Sequence, residues 1–548
     1  MLVKRYKILV LPILVIFFSG FFYGDGDIYY QVSKSIDVFG KIYKEVTFNY
    51  VDQINPQEFM VSGINGMLSS LDPYTVYIDE KRQGDIDLLT TGKYGGIGVS
   101  IGLRNDKVTV VDLIEGYSAQ RQGLRIGDVI TKVDDIEINK DNFDKISSYV
   151  KGEPGTEVKI TVLRDGDQKI VFNLEREEVR IKNLLYSGFY PENSNNVYLK
   201  LVSFTRTAGD EVNKALLDLK EKKEVKSIVL DLRENPGGLL DAAVDVCEKF
   251  LKKNQLVVSV MGRDSSSYKK YISTEEPIAG TIKLVVLVDS GSASASEIVA
   301  GAIQDHDRGV LVGTNTFGKG LVQTVVPLSL NSSLKITTAR YYTPSGRCIQ
   351  KIDYAKSNKV LVDDTLPSAV DYTTDNKRMV YGSGGIIPDS TVDAAAESEL
   401  LSELISRGMI FRFATDYSSK NSEDDFLKDS DDNLYRSFRD YLNKVKFEYI
   451  TEADKQVDDL IQTSEKENYD KKIMDELNAL KVNLVEMGKF EFQNHKNEII
   501  SALRDELYSR YEGQAGRIRN VLKTDRQFEV ALNILNNNKL YNHLLTRN

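Results

Sequence analysis

Histidine and cysteine are scarce in this chain of 548 residues. Its histidines are His306, His495 and His543, and its cysteines are Cys247 and Cys348. Three scattered histidines make a histidine-rich metal site implausible, and a Ser-His-Asp triad would have to use one of them. Two cysteines cannot form a disulfide framework or an all-cysteine zinc site. We therefore expect no metal and no other cofactor.

An excess of positive charge is also missing. The formal net charge is −10, so the chain has no surplus of cations to displace the counterions of nucleic acid. Hydrophobic residues make up 41% and charged residues 28%, as in an ordinary globular protein. We expect protein or small-molecule partners and no nucleic acid. At roughly 100–200 residues per domain, the length predicts about three or four folded domains.

The N-terminus has the charge order of an export signal. Lys4, Arg5 and Lys7 precede an apolar run over 8–22, and two aspartates follow it. The run has about the length of a signal-peptide core and is short for a membrane-spanning helix. No clear cleavage site follows, so residues 1–23 are predicted to be a signal peptide or an uncleaved membrane anchor. The protein is expected in the periplasm or cell envelope, with anchoring in the inner membrane left open.

Hydrophobic spacing divides the rest of the chain into four parts. Helical spacing predicts a small helical region over 28–84, and short alternating strands with glycine turns predict a β-rich module over 85–180. Apolar strands that run into turns and helices predict an α/β core over 181–392. Residues 393–548 contain no proline and read as a charged helical domain. The fold class is therefore multidomain α/β, with helical regions at both ends.

Ser294 lies where a buried strand, 284–288, turns into a helical pattern. One interpretation is a capping box, in which Ser294 and Glu297 satisfy free amides of the first helical turn. The other is a nucleophile, because the surrounding small residues leave room for a substrate backbone and a helix N-terminus offers N–H groups to a developing oxyanion.

Lys319 lies at the end of a segment, 313–319, that matches a nucleotide-binding P-loop. A P-loop is rejected, because Gly320 stands where magnesium coordination needs serine or threonine, and 321–328 alternates like a strand. Apolar neighbours such as Phe317 are expected to desolvate Lys319 and lower its pKa. A serine with a neutral lysine forms a nucleophile and a general base without histidine.

Two further side chains bear on this pair. Gln323, four residues after Lys319, is expected on the same side of a strand, where it could hold the lysine amine. His306 is the competing base. The helix that begins near Ser294 separates the two residues by about 18 Å, which is too far for proton transfer, so His306 is interpreted as a surface histidine.

Four motifs, in this order, closely resemble those of the carboxy-terminal processing peptidases, also called tail-specific proteases: Asp231–Leu239, Ser290–Ile298, Thr316–Gln323 and Tyr341–Gln350. The resemblance covers roughly residues 30 to 395 and includes Leu71–Thr75 and Gly384–Asp389. It implies a Ser/Lys dyad with Ser294 as nucleophile, Lys319 as base and Gln323 as support. The amides of Gly238 and Ala295 are the expected oxyanion donors. The core is expected to be related to the crotonase and Clp-type folds.

In the same family, the β-rich module at 85–180 resembles a PDZ domain. The resemblance implies that the amides of Ile97, Gly98 and Val99 hold the free C-terminus of a substrate, while a strand edge pairs with its tail. Expected partners are proteins with unstructured apolar C-terminal tails, with an activator or adaptor protein and a homo-oligomer as further possibilities.

The leading hypothesis is an exported serine endopeptidase that binds protein C-terminal tails and cleaves through an acyl-enzyme. The alternative is a catalytically silent PDZ scaffold at the membrane. An ATP-dependent machine is a third hypothesis, which requires nucleotide binding despite Gly320.

Overall fold

The structure is a computed structural model that describes residues 26–546, apart from 83, 85–87, 89–90, 105, 165–167, 330, 353, 355–370 and 383. The predicted signal peptide or anchor, residues 1–23, lies outside the described residues. Within the part of the chain that is described, no helix combines the length and apolar character needed to cross a membrane.

The N-terminal region contains two helices and one strand: α1 (Gly26–Asn49), α2 (Pro56–Leu68) and β1 (Val76–Ile78). Helix α2 begins where its sequence favours a start, because Pro56 occupies the first turn and the Asn55 side chain accepts the amide of Gln57 at 3.1 Å. Strand β1 pairs antiparallel with a strand of the α/β core. The N-terminal region is therefore attached to the core by its last strand.

The β-rich module follows. Its elements are β2 (Lys93–Gly96), β3 (Val99–Arg104), β4 (Lys107–Leu113), α3 (Ser118–Arg121), β5 (Val129–Val133), β6 (Ile136–Glu137), α4 (Ile146–Val150), β7 (Glu157–Arg164), β8 (Gln168–Glu175) and β9 (Glu177–Arg180). The main sheet has the order β3-β4-β5-β7-β8, with β6 beside β5, and β2 pairs with β9. Alternate residues of its strands form a separate apolar core that includes Val110, Ile130, Ile160 and Leu174.

The α/β core comes next. Its elements are β10 (Leu184–Phe189), β11 (Asn196–Leu201), α5 (Ala208–Lys222), β12 (Ser227–Asp231), α6 (Leu240–Glu248), β13 (Leu256–Gly262), β14 (Lys269–Ile272), β15 (Lys283–Val288), α7 (Ala295–Asp305), β16 (Val310–Gly313), β17 (Leu321–Pro327), β18 (Ser333–Tyr342), β19 (Asp371–Thr373), β20 (Met379–Tyr381) and β21 (Ser390–Thr391).

Two sheets build this core. The first has the order β10-β11-β12-β15-β16-β21 and is parallel apart from β10. The second has the order β1-β18-β13-β14, with β17 beside β18. Helices α5 to α7 cover one face of the parallel sheet, so its strands read as continuous apolar runs rather than alternating ones.

The C-terminal region is helical: α8 (Glu399–Ser406), α9 (Met409–Lys420), α10 (Glu423–Lys428), α11 (Asp431–Lys444), α12 (Glu452–Lys466), α13 (Lys471–Asn494), α14 (Lys496–Val521), α15 (Arg526–Asn536) and α16 (Asn538–Thr546). Helices α15 and α16 cover the other face of the parallel sheet, where Phe528 and Ile534 pack with Val229, Val285 and Leu287. The predicted multidomain α/β class, with helical ends, is confirmed.

Candidate active site

Ser294 stands at the sharp turn between β15 and α7. Its backbone is at φ 56° and ψ −112°, a left-handed conformation that is strained for a residue with a side chain. The turn is fixed by Asp289, whose Oδ1 accepts the amides of Glu234 at 2.8 Å and Ser292 at 3.0 Å. The strain at Ser294 is therefore maintained by bonds on the strand side of the turn.

The turn 232–238 after β12 lies directly against this serine. A Cβ on Gly237 would lie 2.8 Å from the amide nitrogen of Ala295 and 2.9 Å from the Cβ of Ser294, so the position requires glycine. Within the described chain, no hydrogen bond uses the amides of Gly238 or Ala295. Two unpaired donors are thus available beside the serine, as an oxyanion hole requires.

Glu297 joins the serine turn to the loop that carries Lys319. Its carboxylate is fully buried. One oxygen accepts the Thr316 hydroxyl at 2.6 Å and the Gly318 amide at 2.7 Å. The other accepts the amides of Ser294 at 2.8 Å and Lys319 at 3.0 Å. The Glu297 half of the expected capping box is therefore present, and the same carboxylate also fixes the lysine loop.

Tyr341 adds a second link between these segments. Its hydroxyl lies 3.2 Å from the carbonyl oxygen of Ser294 and 2.5 Å from that of Lys319. In the described part of the chain, no hydrogen bond joins Oγ of Ser294 to Nζ of Lys319. Tyr341 and Glu297 therefore hold the backbones of Ser294 and Lys319 together.

Lys319 lies in surroundings that weaken its charge. Burial, and then the nearby charge of Lys335, lower the pKa of Lys319 to about 8, against the opposing effect of Glu297 and Asp72. Nζ lies 4.3 Å from the ring centroid of Tyr74, a cation–π contact that favours the protonated form. The amine is therefore mostly protonated at pH 7 and becomes mostly neutral only above a pH of about 8.

The Glu297 carboxylate has a shifted pKa of its own. Burial raises the pKa to about 7, although the four donors around it favour the charged form. A proton taken up at lower pH would compete with one of those donors. Acidification is therefore expected to loosen the contact between the serine turn and the lysine loop.

Gln323 lies in β17, but its observed contact differs from the predicted one. Nε2 donates to the hydroxyl of Thr337 at 3.2 Å. Among the described residues, no hydrogen bond connects Gln323 to the amine of Lys319. Support of Lys319 by Gln323 stays a prediction.

The interpretation of His306 as a surface residue is wrong. Its side chain is only 9% exposed. One ring nitrogen lies 2.8 Å from a carboxylate oxygen of Asp375, and the other lies 2.7 Å from the carbonyl oxygen of Leu256. The ring fills a gap between the end of α7 and neighbouring loops. Both ring nitrogens make hydrogen bonds, and the residue lies at the far end of α7 from Ser294. His306 is therefore unsuited to act as the base.

The expected carboxylate-binding segment lies between β2 and β3. Gly98 has φ 76°, and a Cβ there would lie 2.4 Å from the Cβ of Tyr117. In the described chain, the amides of Ile97 and Gly98 donate no hydrogen bond, and Val99 opens β3. The segment therefore presents free N–H groups at the end of a strand.

The P-loop alternative is excluded by the element that follows it. After Lys319 the chain continues as strand β17, not as the helix that a P-loop opens. A metal centre finds no support in the described residues either, where no group of three or more His, Cys, Asp or Glu side chains could hold an ion.

Sequence reasoning missed two side chains of this site. Local sequence predicts Glu297 only as a helix cap. Its contacts with Thr316 and Lys319 are tertiary, and spacing along the chain does not indicate them. Tyr74 belongs to a recognised motif, Leu71–Thr75, but nothing in local spacing places its ring on the lysine. The only sequence signal for Tyr74 is that its motif belongs to the ordered set of motifs that resembles the peptidase family.

Glu297→Gln is expected to destabilise the core. An amide has one accepting oxygen and would turn its NH2 group toward two of the four donors. Two unsatisfied buried donors cost about 2–4 kcal/mol of unfolding free energy. Urea unfolding measures the loss, with Glu221→Gln on the exposed side of α5 as the matched control. A change within about 0.5 kcal/mol of that control would contradict the assigned role.

Four protein families match parts of this chain. Residues 195–356 match peptidase family S41, and residues 95–172 match the PDZ domain family. Residues 26–82 match the N-terminal domain of the activating protease CtpB, and residues 400–535 match the C-terminal helical domain of probable PDZ-proteases.

Curated relatives are similar over the same region. A carboxy-terminal-processing protease of Bartonella bacilliformis is 36% identical over 338 residues, which is 61% of this chain and 76% of that protein. The carboxy-terminal processing protease CtpA of Bacillus subtilis is 31% identical, over 60% of this chain and 71% of its own.

Among solved structures, the photosystem II D1 C-terminal processing protease is 27% identical with a TM-score of 0.35, covering 65% of this chain and 92% of that one. The family matches and the curated relatives confirm the resemblance seen in the sequence motifs. With an S41 core, a PDZ domain and relatives of this kind, the chain is a serine-type peptidase and belongs to the carboxy-terminal processing peptidases of family S41.

Proposed function

We propose that this protein is an exported endopeptidase that captures the C-terminal tail of a protein substrate and cleaves it through a Ser/Lys dyad. Ser294 is the nucleophile and Lys319 is the general base. One observation carries the proposal. A single buried carboxylate, Glu297, binds the backbone of both residues next to the two unpaired amides.

The chemistry begins with a neutral lysine. Lys319 takes the proton of the Ser294 hydroxyl while Oγ attacks the scissile carbonyl carbon. The carbonyl oxygen becomes an oxyanion and accepts hydrogen bonds from the amides of Gly238 and Ala295. The lysine then gives its proton to the leaving amine, and an acyl-enzyme remains. Water, deprotonated by the same lysine, releases the second product.

The amine has to move before it can act. Nζ of Lys319 now faces the ring of Tyr74 and makes no hydrogen bond to Ser294 in the described part of the chain. Catalytic contacts often tighten only when substrate is bound. We infer that substrate binding is accompanied by a turn of the lysine side chain toward Oγ.

The PDZ module supplies the recognition step in this proposal. A substrate's C-terminal carboxylate would accept hydrogen bonds from the amides of Ile97, Gly98 and Val99, with its tail added as a strand to the module's edge. Apolar, unstructured tails suit this mode of binding. The proposal includes two further interactions: binding of an activating or adaptor protein, and association of the protein with copies of itself.

Export rests on the N-terminal sequence. The basic residues, apolar run and acidic residues of 1–27 are those of a signal peptide or anchor. We place the working site in the periplasm or cell envelope, where unfolded protein tails are accessible.

Ser294→Ala and Lys319→Ala are expected to abolish cleavage. Each removes one partner of the proton transfer, and rates should fall by about 10⁴-fold. The assay follows cleavage of an unfolded protein with an apolar C-terminus. Ser290→Ala, an exposed serine on the same turn, is the matched control and should cut normally. Undiminished cleavage by either dyad variant would overturn the dyad.

The activity should rise with pH. A base with a pKa of about 8 is neutral only above that value, so kcat/KM should increase as pH passes through about 8. Lys335→Met removes a positive charge that lowers the Lys319 pKa, and should move the midpoint to higher pH. Lys159→Met, on an exposed strand position of the PDZ module, should leave it in place. A profile that falls across pH 7 to 9 would contradict a lysine base.

Amidation of the substrate's C-terminus tests the PDZ module. Loss of the terminal charge removes charge-assisted hydrogen bonds and should raise KM about 10- to 100-fold while leaving kcat nearly unchanged. Steady-state cleavage of the two otherwise identical substrates measures the effect. Equal KM values would mean that the module does not read the terminus.

A further inference from the structure

The C-terminal helical region makes contact behind the turn that carries Gly238. Helix α15 packs on the outer face of the parallel sheet, where the Phe528 ring lies 5.4 Å from the rings of Tyr190 and Tyr198. The N-terminus of α15 is thereby placed next to the end of β12. Strand β12 leads directly into the turn 232–238.

A buried polar cluster spans this contact. Asp231, the last residue of β12, is fully buried and accepts the Tyr198 hydroxyl at 2.6 Å. Lys200 lies 3.2 Å from the same carboxylate. The Arg233 guanidinium also binds Asp231, with Nε 3.0 Å from Oδ1, and its side chain is only 15% exposed.

The Arg233 side chain also reaches across the interface and binds two residues of the α15 N-terminus. Its Nη2 lies 2.6 Å from Oδ2 of Asp525, and its Nη1 donates to Oε1 of Gln527 at 2.9 Å. Asp525 is also the N-cap of α15, because its Oδ1 accepts the amide of Phe528 at 3.0 Å. Gln527 is 3% exposed and donates to the carbonyl oxygen of Val392 at 2.7 Å.

The charges in this cluster depend on one another. Arg233 lies between two carboxylates, and Asp231 lies between two cations, so removal of either acid leaves a buried or partly buried cation with one partner fewer. The backbone of Arg233 is also held, since Nζ of Lys200 donates to its carbonyl oxygen at 2.9 Å. Arg233 is therefore fixed at both its side chain and its main chain.

The turn needs such fixing, because it is strained. Glu234 has φ 58°, a left-handed conformation that is strained for a residue with a side chain. Its amide is held by Asp289 on one side, and Arg233 anchors the chain immediately before it. Asn235 then donates to the carbonyl oxygen of Leu201 at 2.8 Å and accepts the Gly237 amide at 2.9 Å. These hydrogen bonds fix successive residues of the turn up to Gly237, which directly precedes Gly238.

We propose that Asp525 and Gln527 of the C-terminal helical region are positioning residues for the oxyanion hole, acting through Arg233 on the turn that presents the Gly238 amide. The inference rests on the proposed Ser/Lys peptidase function. It assigns the helical extension an indirect part in catalysis: α15 completes the support of the turn, and the core alone leaves Arg233 with Asp231 as its only carboxylate in the cluster.

Asp525→Asn tests the ion pair while keeping the cap, since asparagine also caps helices well. In the full chain, kcat should fall about tenfold with KM within about twofold of wild type, because a misplaced oxyanion donor costs rate and not binding. The matched control is Asp470→Asn, an exposed N-cap of α13 that accepts the Ile473 amide at 3.0 Å. Gln527→Met, which leaves the ion pair intact, should lower kcat about threefold.

A peptide aldehyde separates positioning from general damage. Its adduct with Ser294 places a hemiacetal oxygen in the oxyanion hole, whereas the corresponding peptide acid binds without one. Asp525→Asn should weaken the aldehyde by the factor lost in kcat and leave the acid unchanged. Equal loss of both ligands, or a kcat within about twofold of Asp470→Asn, would overturn the proposal.

Ser294→Ala in the same assays distinguishes failure of the proposed Ser/Lys function from failure of the proposed role of α15. If Ser294→Ala still cleaves, the proposed function fails whatever Asp525→Asn does. If Ser294→Ala is inactive and Asp525→Asn behaves like Asp470→Asn, the dyad stands and only the role of α15 fails.

Discussion

The buried carboxylate of Glu297 is the interaction on which the catalytic arrangement depends. A carboxylate without water is stable only where donors replace its hydration, and here four donors converge on two oxygens. Two of those donors are the amides of Ser294 and Lys319. The requirement to satisfy one buried charge therefore also fixes the distance between the turn that carries Ser294 and the loop that carries Lys319. The same burial makes the arrangement sensitive to a proton, since it raises the pKa of Glu297 to about 7.

The parallel sheet brings the parts together. Strands β12, β15 and β16 are neighbours, and their carboxyl ends lead into the turn 232–238, the turn that carries Ser294 and the loop that carries Lys319. Chemistry at this edge is the general expectation for open α/β sheets. The helical C-terminal region covers the opposite face and also reaches the PDZ module, where Gln514 donates to Asp112 at 3.2 Å. One helical region thus contacts both the α/β core and the PDZ domain.

Local pattern was sufficient for some features and not for others. Ser294 and Lys319 could be singled out because strand-to-turn transitions and ordered motifs are local in the sequence, and the α/β, β-rich and helical regions follow from hydrophobic spacing. The ring of Tyr74 on Lys319 and the contact of Gln323 with Thr337 depend on how β1, β17 and β18 are paired, which spacing does not specify. His306 has the surroundings of a polar loop in sequence, but its ring binds Asp375 and the carbonyl oxygen of Leu256, both distant from it in the chain.

The proposal that Ser294 forms an acyl-enzyme with Lys319 as its base can be tested by locating the covalent adduct. The full chain is mixed with an unfolded substrate, quenched in acid within one turnover, digested and mapped by mass spectrometry. We expect an acyl group on the peptide that contains Ser294, accumulating faster at pH 9 than at pH 7 and absent from Lys319→Ala. An adduct on any other residue, or rapid cleavage with no adduct at either pH, would contradict it.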